Sequence, residues 1–502
     1  MTIPEMRIGR KKVRAPFVVS ATANTGKRRR RPTARKPAPI KEVPLEQKKI
    51  QRENDEENED SLLKESNHPN PISDWVITIE EKINAAGPPC ERGCPWAHHC
   101  IFRVPRNLLE MDPKSYIPQI VSIGPYHNGK SHLQEMESHK WRFLRHLLDR
   151  TGHHVEMYLD AMSQLEDHAR HCYAGLIKEM NAREFVEMML IDACFILELL
   201  RTSIQGIIHC GYSWGDPIFT TRGVVPCIQR DMLMIENQLP LFVLDRLFTL
   251  TAGPDETDSV AQLALQFFDS VIPGCQNENT HLFNSNDYGF HLLHLIRQSL
   301  LPSPRATFTK IRTDHQPQLM VHCVTNLRES GIKFRKKRSD KFMDIKFHNG
   351  VLEIPPLVIH DSTKSIFLNL MAFEQCYPHC SNDVTSYISF MDGLINSSQD
   401  VGYLRQQGII DHGLGSEDDV ARLFNGLCRE IAFNMNDCYL SHVSDEVNKY
   451  FDRRWHVWRA SLKHEYFRHP WAIISLVAAI LLIGLTLAQT FYTIFPYYVP
   501  SS

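Results

Sequence analysis

The sequence predicts a mainly α protein: a helical cytosolic domain with a small β-hairpin, plus one C-terminal transmembrane helix. Three observations carry that expectation. Amphipathic apolar spacing recurs from about residue 73 to 466, an uncharged apolar run of 25 residues closes the chain from Trp471 to Phe495, and one Asn-Gly dipeptide sits between two short alternating segments. Composition agrees, since 43% hydrophobic and 23% charged residues over 502 positions are ordinary globular usage. Collagen-like, disulfide-knot and many-span membrane classes are thereby excluded. Thirteen cysteines in so long a chain, without framework spacing, fit a reducing compartment.

The net charge of -2 hides a strong asymmetry. Residues 1–40 hold twelve Lys and Arg against one acid, Glu5, and an acidic run from Glu53 to Asp60 follows. With eight prolines and almost no periodic apolar residues, the segment 1–72 cannot bury enough surface to offset its ordering entropy, so it is expected to be a disordered basic, then acidic, arm. Lys27 to Arg31 suit nuclear import, nucleic acid or anionic lipid alike, and nothing in the run selects among them.

Within the span 73–466, Arg183 to Arg201 is apolar nearly all round, as expected of a central helix packed on several neighbours. Asp192 and Glu198 are its awkward members, and pairing with cations at the edge of the core is the simplest account of them. Gln229 to Phe248 reads as a second apolar helix kinked at Pro240, with Asn237 and Gln238 free to satisfy loosened backbone groups. Lys341 to Pro355 carries the hairpin signal around Asn349-Gly350. Ser416, followed by Glu417, Asp418 and Asp419, marks a helix N-cap with acids at the positive end of the dipole.

The C-terminal run, about 37 Å long as a helix, exceeds the roughly 30 Å hydrocarbon thickness and can span with tilt. The expected limits are Trp471 and Phe495, within a helix 470–495 followed by a short non-cytosolic tail, 496–502. Arg453, Arg454, Arg459, Lys463 and Arg468 precede the span and no Lys or Arg follows it, so the N-terminal side is expected to be cytosolic. No apolar signal segment opens the chain, which suggests a tail-anchored protein, and the sequon at Asn396 would then stay unglycosylated.

Dinucleotide, P-loop, nucleophile-elbow, zincin and calcium-loop patterns are absent from the sequence, so no catalytic residue and no cofactor are expected. The best metal candidates are Cys90, Cys94, His98 and Cys100, whose thiolates and imidazole suit tetrahedral zinc but whose spacing is irregular; Cys376, His379 and Cys380 form a second possible group.

Several strings coincide with a known family: Cys100-Ile-Phe-Arg-Val-Pro105, Val121-Ser-Ile-Gly-Pro-Tyr-His127, Met136-Glu-Ser-His-Lys140, Asp192-Ala-Cys-Phe-Ile-Leu-Glu-Leu-Leu200 and Met234-Ile-Glu-Asn-Gln-Leu-Pro240. Leu327 to Phe334, Ile366 to Gln375 and Pro470-Trp471 continue the series. In order, from about Trp75 to Tyr492, the chain resembles the plant-specific "domain of unknown function 247" family of UPF0481-type proteins. The resemblance implies a mostly helical plant protein with a C-terminal membrane segment, often at the plasma membrane; it supplies no reaction and no catalytic residues. The expected function is a membrane-anchored, cytosol-facing interaction or signalling module with the lipid bilayer and an unidentified protein as partners and nucleic acid disfavoured. The alternatives are an enzyme with an unfamiliar pocket using Asp192, Glu198 or Glu236, and a zinc-stabilised regulatory protein.

Overall fold

The computed structural model describes residues 76, 78–81, 99–175, 177, 180–253, 256–272, 290–301, 321–339, 341–431, 438–452 and 470–498. The arm 1–72, the flank 453–468, Cys90, Cys94 and His98 lie outside them. Two units divide the chain. Of the first, Met1–Pro89, residues 76 and 78–81 are helical and exposed.

In the second, Cys90–Ser502, the helices before the first strand are α1 (Arg106–Met111), α2 (Pro113–Tyr116), α3 (Gln134–Thr151), α4 (Val155–Ser163), α5 (Glu166–His171), α6 (Ala182–Gln205), α7 (Pro217–Thr220), α8 (Val224–Met232), α9 (Leu241–Thr251), α10 (Val260–Phe268), α11 (Leu292–Leu300) and α12 (Val324–Glu329). Strands β1 (Lys333–Lys336), β2 (Lys346–His348), β3 (Val351–Ile354) and β4 (Leu357–Ile359) follow. Then come α13 (Thr363–Cys376), α14 (Asp383–Leu394), α15 (Ser398–Gln406), β5 (Ile410–His412), α16 (Glu417–Leu427), α17 (Ser441–Phe451) and α18 (Pro470–Tyr498).

Helix α6 is the axis of the body. Asn181 opens it with a capping box: its side chain accepts from the Glu184 amide, while the Glu184 carboxylate accepts from the Asn181 amide, which settles two of the orphan donors at that end. From Met188 to Thr202 every residue is buried, because α3, α4, α9 and α10 pack around it. Each large apolar side chain buried there contributes about 1.5–3 kcal/mol relative to exposure. A second layer forms where α13 packs on α2, α11, α14 and α16. Asn369 of α13 joins the layers, donating to the carbonyls of Ser115 and Ser365 and accepting from the Ile235 amide.

The Asn349-Gly350 turn forms the expected hairpin, β2 antiparallel to β3, with φ of 51° and 78° at the two turn residues. Both lie in the left-handed region that a type I′ turn requires. Gly350 is needed twice over, since a Cβ there would stand 2.6 Å from the Tyr450 hydroxyl. The hairpin is not isolated, however: β1 adds in parallel to β3, giving the order β1-β3-β2, and β4 pairs in parallel with β5. These short strands escaped sequence reading because three or four residues show no clear period.

The expected single helix from Gln229 to Phe248 is corrected to two. Helix α8 ends at Met232, residues 233–240 turn and run extended, and Pro240, with φ -58° and ψ 135°, is the N-cap of α9. Proline's missing donor costs nothing at a helix start, so the chain breaks where a kink was expected. The Ser416 cap stands as expected, its side chain accepting from the Asp419 amide.

Candidate functional site

The family-like strings around residues 121–127 and 234–240 interlock. Asn237 accepts from the Ile123 amide at 2.7 Å and donates to the carbonyls of Val121 and Asp231. Gln238 donates to the carbonyls of Met232 and Met234 and accepts from the Leu293 amide. The two amides thus satisfy the backbone that the α8–α9 break leaves open, as their chemistry suggested. Gly124, at φ 73°, passes so close that a Cβ would stand 2.5 Å from the Gln238 carbonyl oxygen. Asp231 adds a further clasp, its Oδ2 accepting from the amides of Gln119, Ile120 and Val121.

Behind this interlock lies a buried ion pair. Lys140 of α3 reaches Asp192 of α6 at 2.6 Å and Glu137 at 2.7 Å, and also donates to the Ser122 carbonyl. Burial pushes the Asp192 carboxyl up to about 6, with Lys140 and the Gly124 amide pulling the other way. Burial also lowers the Lys140 ammonium, but the Asp192 and Glu137 carboxylates outweigh it and the net shift is upward. Both Asp192 oxygens are occupied, Oδ1 by Lys140 and Oδ2 by the Gly124 amide at 2.8 Å. Each oxygen thus accepts a hydrogen bond that holds the fold.

Glu236 takes a different place. Its Oε1 accepts from the Val104 amide at 2.7 Å and its Oε2 lies 3.3 Å from His127 Nε2, a close electrostatic contact. Burial acts to raise this carboxyl, yet the His127 ring, the Val104 amide and the Arg103 guanidinium bring it below the usual value. Lys130 Nζ sits 2.6 Å from His127 Nδ1, so that nitrogen accepts and the ring proton is assigned to Nε2, facing Glu236. Glu198 is fully buried between Arg150 at 2.9 Å and Arg201 at 3.1 Å, with the Tyr212 hydroxyl donating at 3.2 Å. The expected cation pairing of Asp192 and Glu198 therefore holds, in the interior of the core and not at its edge.

A cavity of about 750 Å³ forms a groove between the N-terminal halves of α3 and α6. Glu137 and Trp141 face it from α3; Glu184, Glu187, Met188 and Ile191 face it from α6, with Asp192 at its edge. Arg103, Pro125, Tyr126, Asn128, Ile177 and Met180 complete its lining. Trp141 is 49% exposed, and the Arg103 guanidinium lies 4.2 Å from the Tyr126 ring centroid. Glu137 is engaged by Lys140 and Glu184 by its cap, whereas Glu187 is exposed and has no partner among the described residues. Of the three carboxylates singled out in the sequence, only Asp192 touches this groove. Glu184, Glu187 and Trp141 were missed, although Glu184 and Glu187 share a face with Met188 and Ile191 by helical spacing.

Among the described residues no group of three or more His, Cys, Asp and Glu is placed to hold a metal. Cys100 is buried beside Cys172, a neighbour that spacing gave no reason to choose. Cys376 lies 4.0 Å from the Arg103 carbonyl oxygen, and Tyr377 packs on Phe102, so the loop after α13 does meet the Cys100 segment. At the other end, α18 includes both expected limits, and Ile474–Ile494 within it is long and apolar enough to cross a membrane, with none of its apolar window buried.

Fold and site thus define a mainly helical protein with a polar interlock, an acidic groove and one apolar terminal helix. The chain belongs to the plant family DUF247, described as a plant protein of unknown function, which matches residues 101–485. It is similar to a UPF0481 protein of Arabidopsis thaliana, 33% identical over 424 residues covering 79% of this chain and 87% of that one. A second UPF0481 protein of the same plant is 24% identical over 522 residues, covering 84% and 94%. No solved structure matches.

Proposed function

We propose that the chain is a membrane-anchored recognition module whose body faces the cytosol, at the plasma membrane, and whose groove between α3 and α6 receives a basic segment of a partner protein. The observation that carries the anchoring is the 21-residue helix Ile474–Ile494, unburied and without an ionised side chain. A soluble core helix of that length would hide one face in protein, whereas this one leaves its apolar surface for lipid. The basic flank before it and the uncharged end after it favour a cytosolic body.

The choice of ligand rests on charge. Glu137, Glu184 and Glu187 outnumber Arg103 around the groove, and the exposed face of Trp141 offers a cation a π-surface. Lys and Arg side chains supply both the charge and the apolar stem that Met180, Met188 and Ile191 would cover.

Two experiments test the two parts. Full-length protein should resist alkaline carbonate extraction and a chain ending at residue 469 should not pellet with membranes. Extraction of the full-length chain, or sugar on the exposed Asn396, would overturn the anchoring or its topology. A fluorescent pentalysine peptide should bind the full chain in detergent with a salt-sensitive affinity that falls several-fold in Glu187→Gln and Trp141→Ala. Equal binding by both variants and the parent would remove the groove from the proposal.

A further inference from the structure

Cys100 and Cys172 stand side by side on two backbone segments that lead into the walls of the groove. Ile101 and Tyr173 form a parallel bridge, in which the Cys100 and Ile101 amides both donate to the Cys172 carbonyl at 2.9 Å and the Ala174 amide donates to the Ile101 carbonyl at 2.8 Å. That register sets Cys100 directly across from Cys172. Paired backbones lie about 4.7–4.9 Å apart and opposed side chains leave on the same face, within the roughly 4.4–6.8 Å Cα separation that a disulfide bridges.

Both thiols are free and buried, at 4% and 7% exposure, and Cys172 lies next to the exposed His171 at the end of α5. The Cys172 thiol donates to the His168 carbonyl at 3.5 Å. The neighbouring Cys172 sulfur raises the Cys100 thiol, with burial adding to the shift, and the neighbouring Cys100 sulfur lowers the Cys172 thiol against the effect of its own burial. Of the two sulfurs, Cys172 is therefore the readier nucleophile.

We propose that Cys100 and Cys172 are a modification site, forming a reversible intramolecular disulfide with a hydroperoxide as oxidant. The Cys172 thiolate attacks the terminal peroxide oxygen, the O–O bond breaks, and the alcohol (water, from hydrogen peroxide) departs, leaving Cys172 as a sulfenic acid. The Cys100 sulfur then attacks the Cys172 sulfur, the S–O bond breaks, and water leaves with the Cys100 proton. Two thiols lose two electrons in total and one peroxide gains them. The new bond ties the segment carrying Arg103 to the one carrying Ile177 and Met180, and so fixes two walls of the groove relative to each other. The disulfide does not depend on the groove's having a ligand, so it stands or falls apart from the recognition reading.

The test uses the full chain in detergent, reduced and then exposed to hydrogen peroxide. Remaining thiols are alkylated and the digest is read by mass spectrometry. The expected result is one peptide pair linked through Cys100 and Cys172, lost on reduction with dithiothreitol, together with a melting temperature several degrees above that of the reduced protein. Cys100→Ser should show neither change and should leave Cys172 as a sulfenic acid that dimedone captures. The wild-type peptide map needs no substitution, so it decides the question even where a variant does not fold. Peroxide-treated wild type in which both cysteines remain alkylatable, or in which Cys172 proceeds to sulfinate without any linked pair, would overturn the assignment.

Discussion

From Met188 to Thr202, α6 is buried on every side and still carries Asp192, Glu198 and Arg201; from Ile474 to Ile494, α18 is unburied and carries no ionised group. The three charges of α6 are tolerated because Lys140, Arg150 and Glu256 reach them from neighbouring segments at 2.6–2.9 Å. Helix α18 has no such neighbour among the described residues, and its hydroxyls turn inward instead. Thr486, Thr490 and Thr493 each donate to the carbonyl four residues earlier at 2.7 Å. A polar group on an apolar helix must find its partner within reach, and a helix without packed neighbours has only its own backbone. What separates the two helices is therefore the provision of partners, more than apolarity.

The sharpest way to break that contrast is to remove a partner. Lys140→Met leaves Asp192 buried and unpaired, and we expect the body to lose about 3–5 kcal/mol in urea denaturation. Lys140→Met with Asp192→Leu should cost less than Lys140→Met alone, since both charges leave together. Placing a charge where none is provided for makes the converse test. Leu482→Asp in α18 should disfavour membrane insertion by about 2.5–3.5 kcal/mol while leaving the denaturation midpoint of the body unchanged. Membrane pelleting and urea titration of the same variant separate the two effects.

Backbone crowding gives the next effect. Gly124→Ala puts a Cβ against the Gln238 carbonyl at a positive φ, and we expect a loss of about 1–3 kcal/mol by the same titration. Acid should act through the two imidazoles at the start of α11, His291 at its N-cap and His294 in its first turn. Burial, with His294 and then Arg297 beside them, holds His291 down to about 3 and His294 to about 4. They gain a proton only on unfolding, so their contribution is complete above pH 6.5 and falls by about 1.4 kcal/mol per pH unit for each ring as the pH drops toward 4. Asp192 and Asp245, raised to about 6 by burial, gain stability over much of the same interval and mask the fall. The readable quantity is thus the difference: the gap in stability between wild type and His291→Gln should shrink from pH 6.5 to pH 4. Least sensitive is the exposed pair Arg106–Glu110, where Arg106→Ala should cost no more than about 0.5 kcal/mol.

The parts of this fold that sequence disclosed are those governed by neighbours along the chain. The central helix, read as Arg183 to Arg201, the Asn349-Gly350 turn and the Ser416 cap follow from spacing and from residues a few positions apart. The break before α9 is not legible in the sequence because Pro240 permits either a kink or a break, and only Asn237 and Gln238, reaching to Val121, Ile123 and Leu293, make the break the cheaper choice. Strands β1, β4 and β5 exist because distant segments offer each of them an edge. The groove was hidden for the same reason: Trp141 and Glu187 lie on different helices, and nothing local announces that they face one space.

By itself the sequence determined the helical class, the apolar terminal helix, the hairpin turn and the need of the buried carboxylates for company. Tertiary structure alone decided which lysine meets Asp192, which thiol meets Cys100 and which walls enclose the groove. Propensity, capping and hydropathy act over one or two turns of chain, whereas pairing and cavity shape depend on segments that become neighbours only once the core has closed.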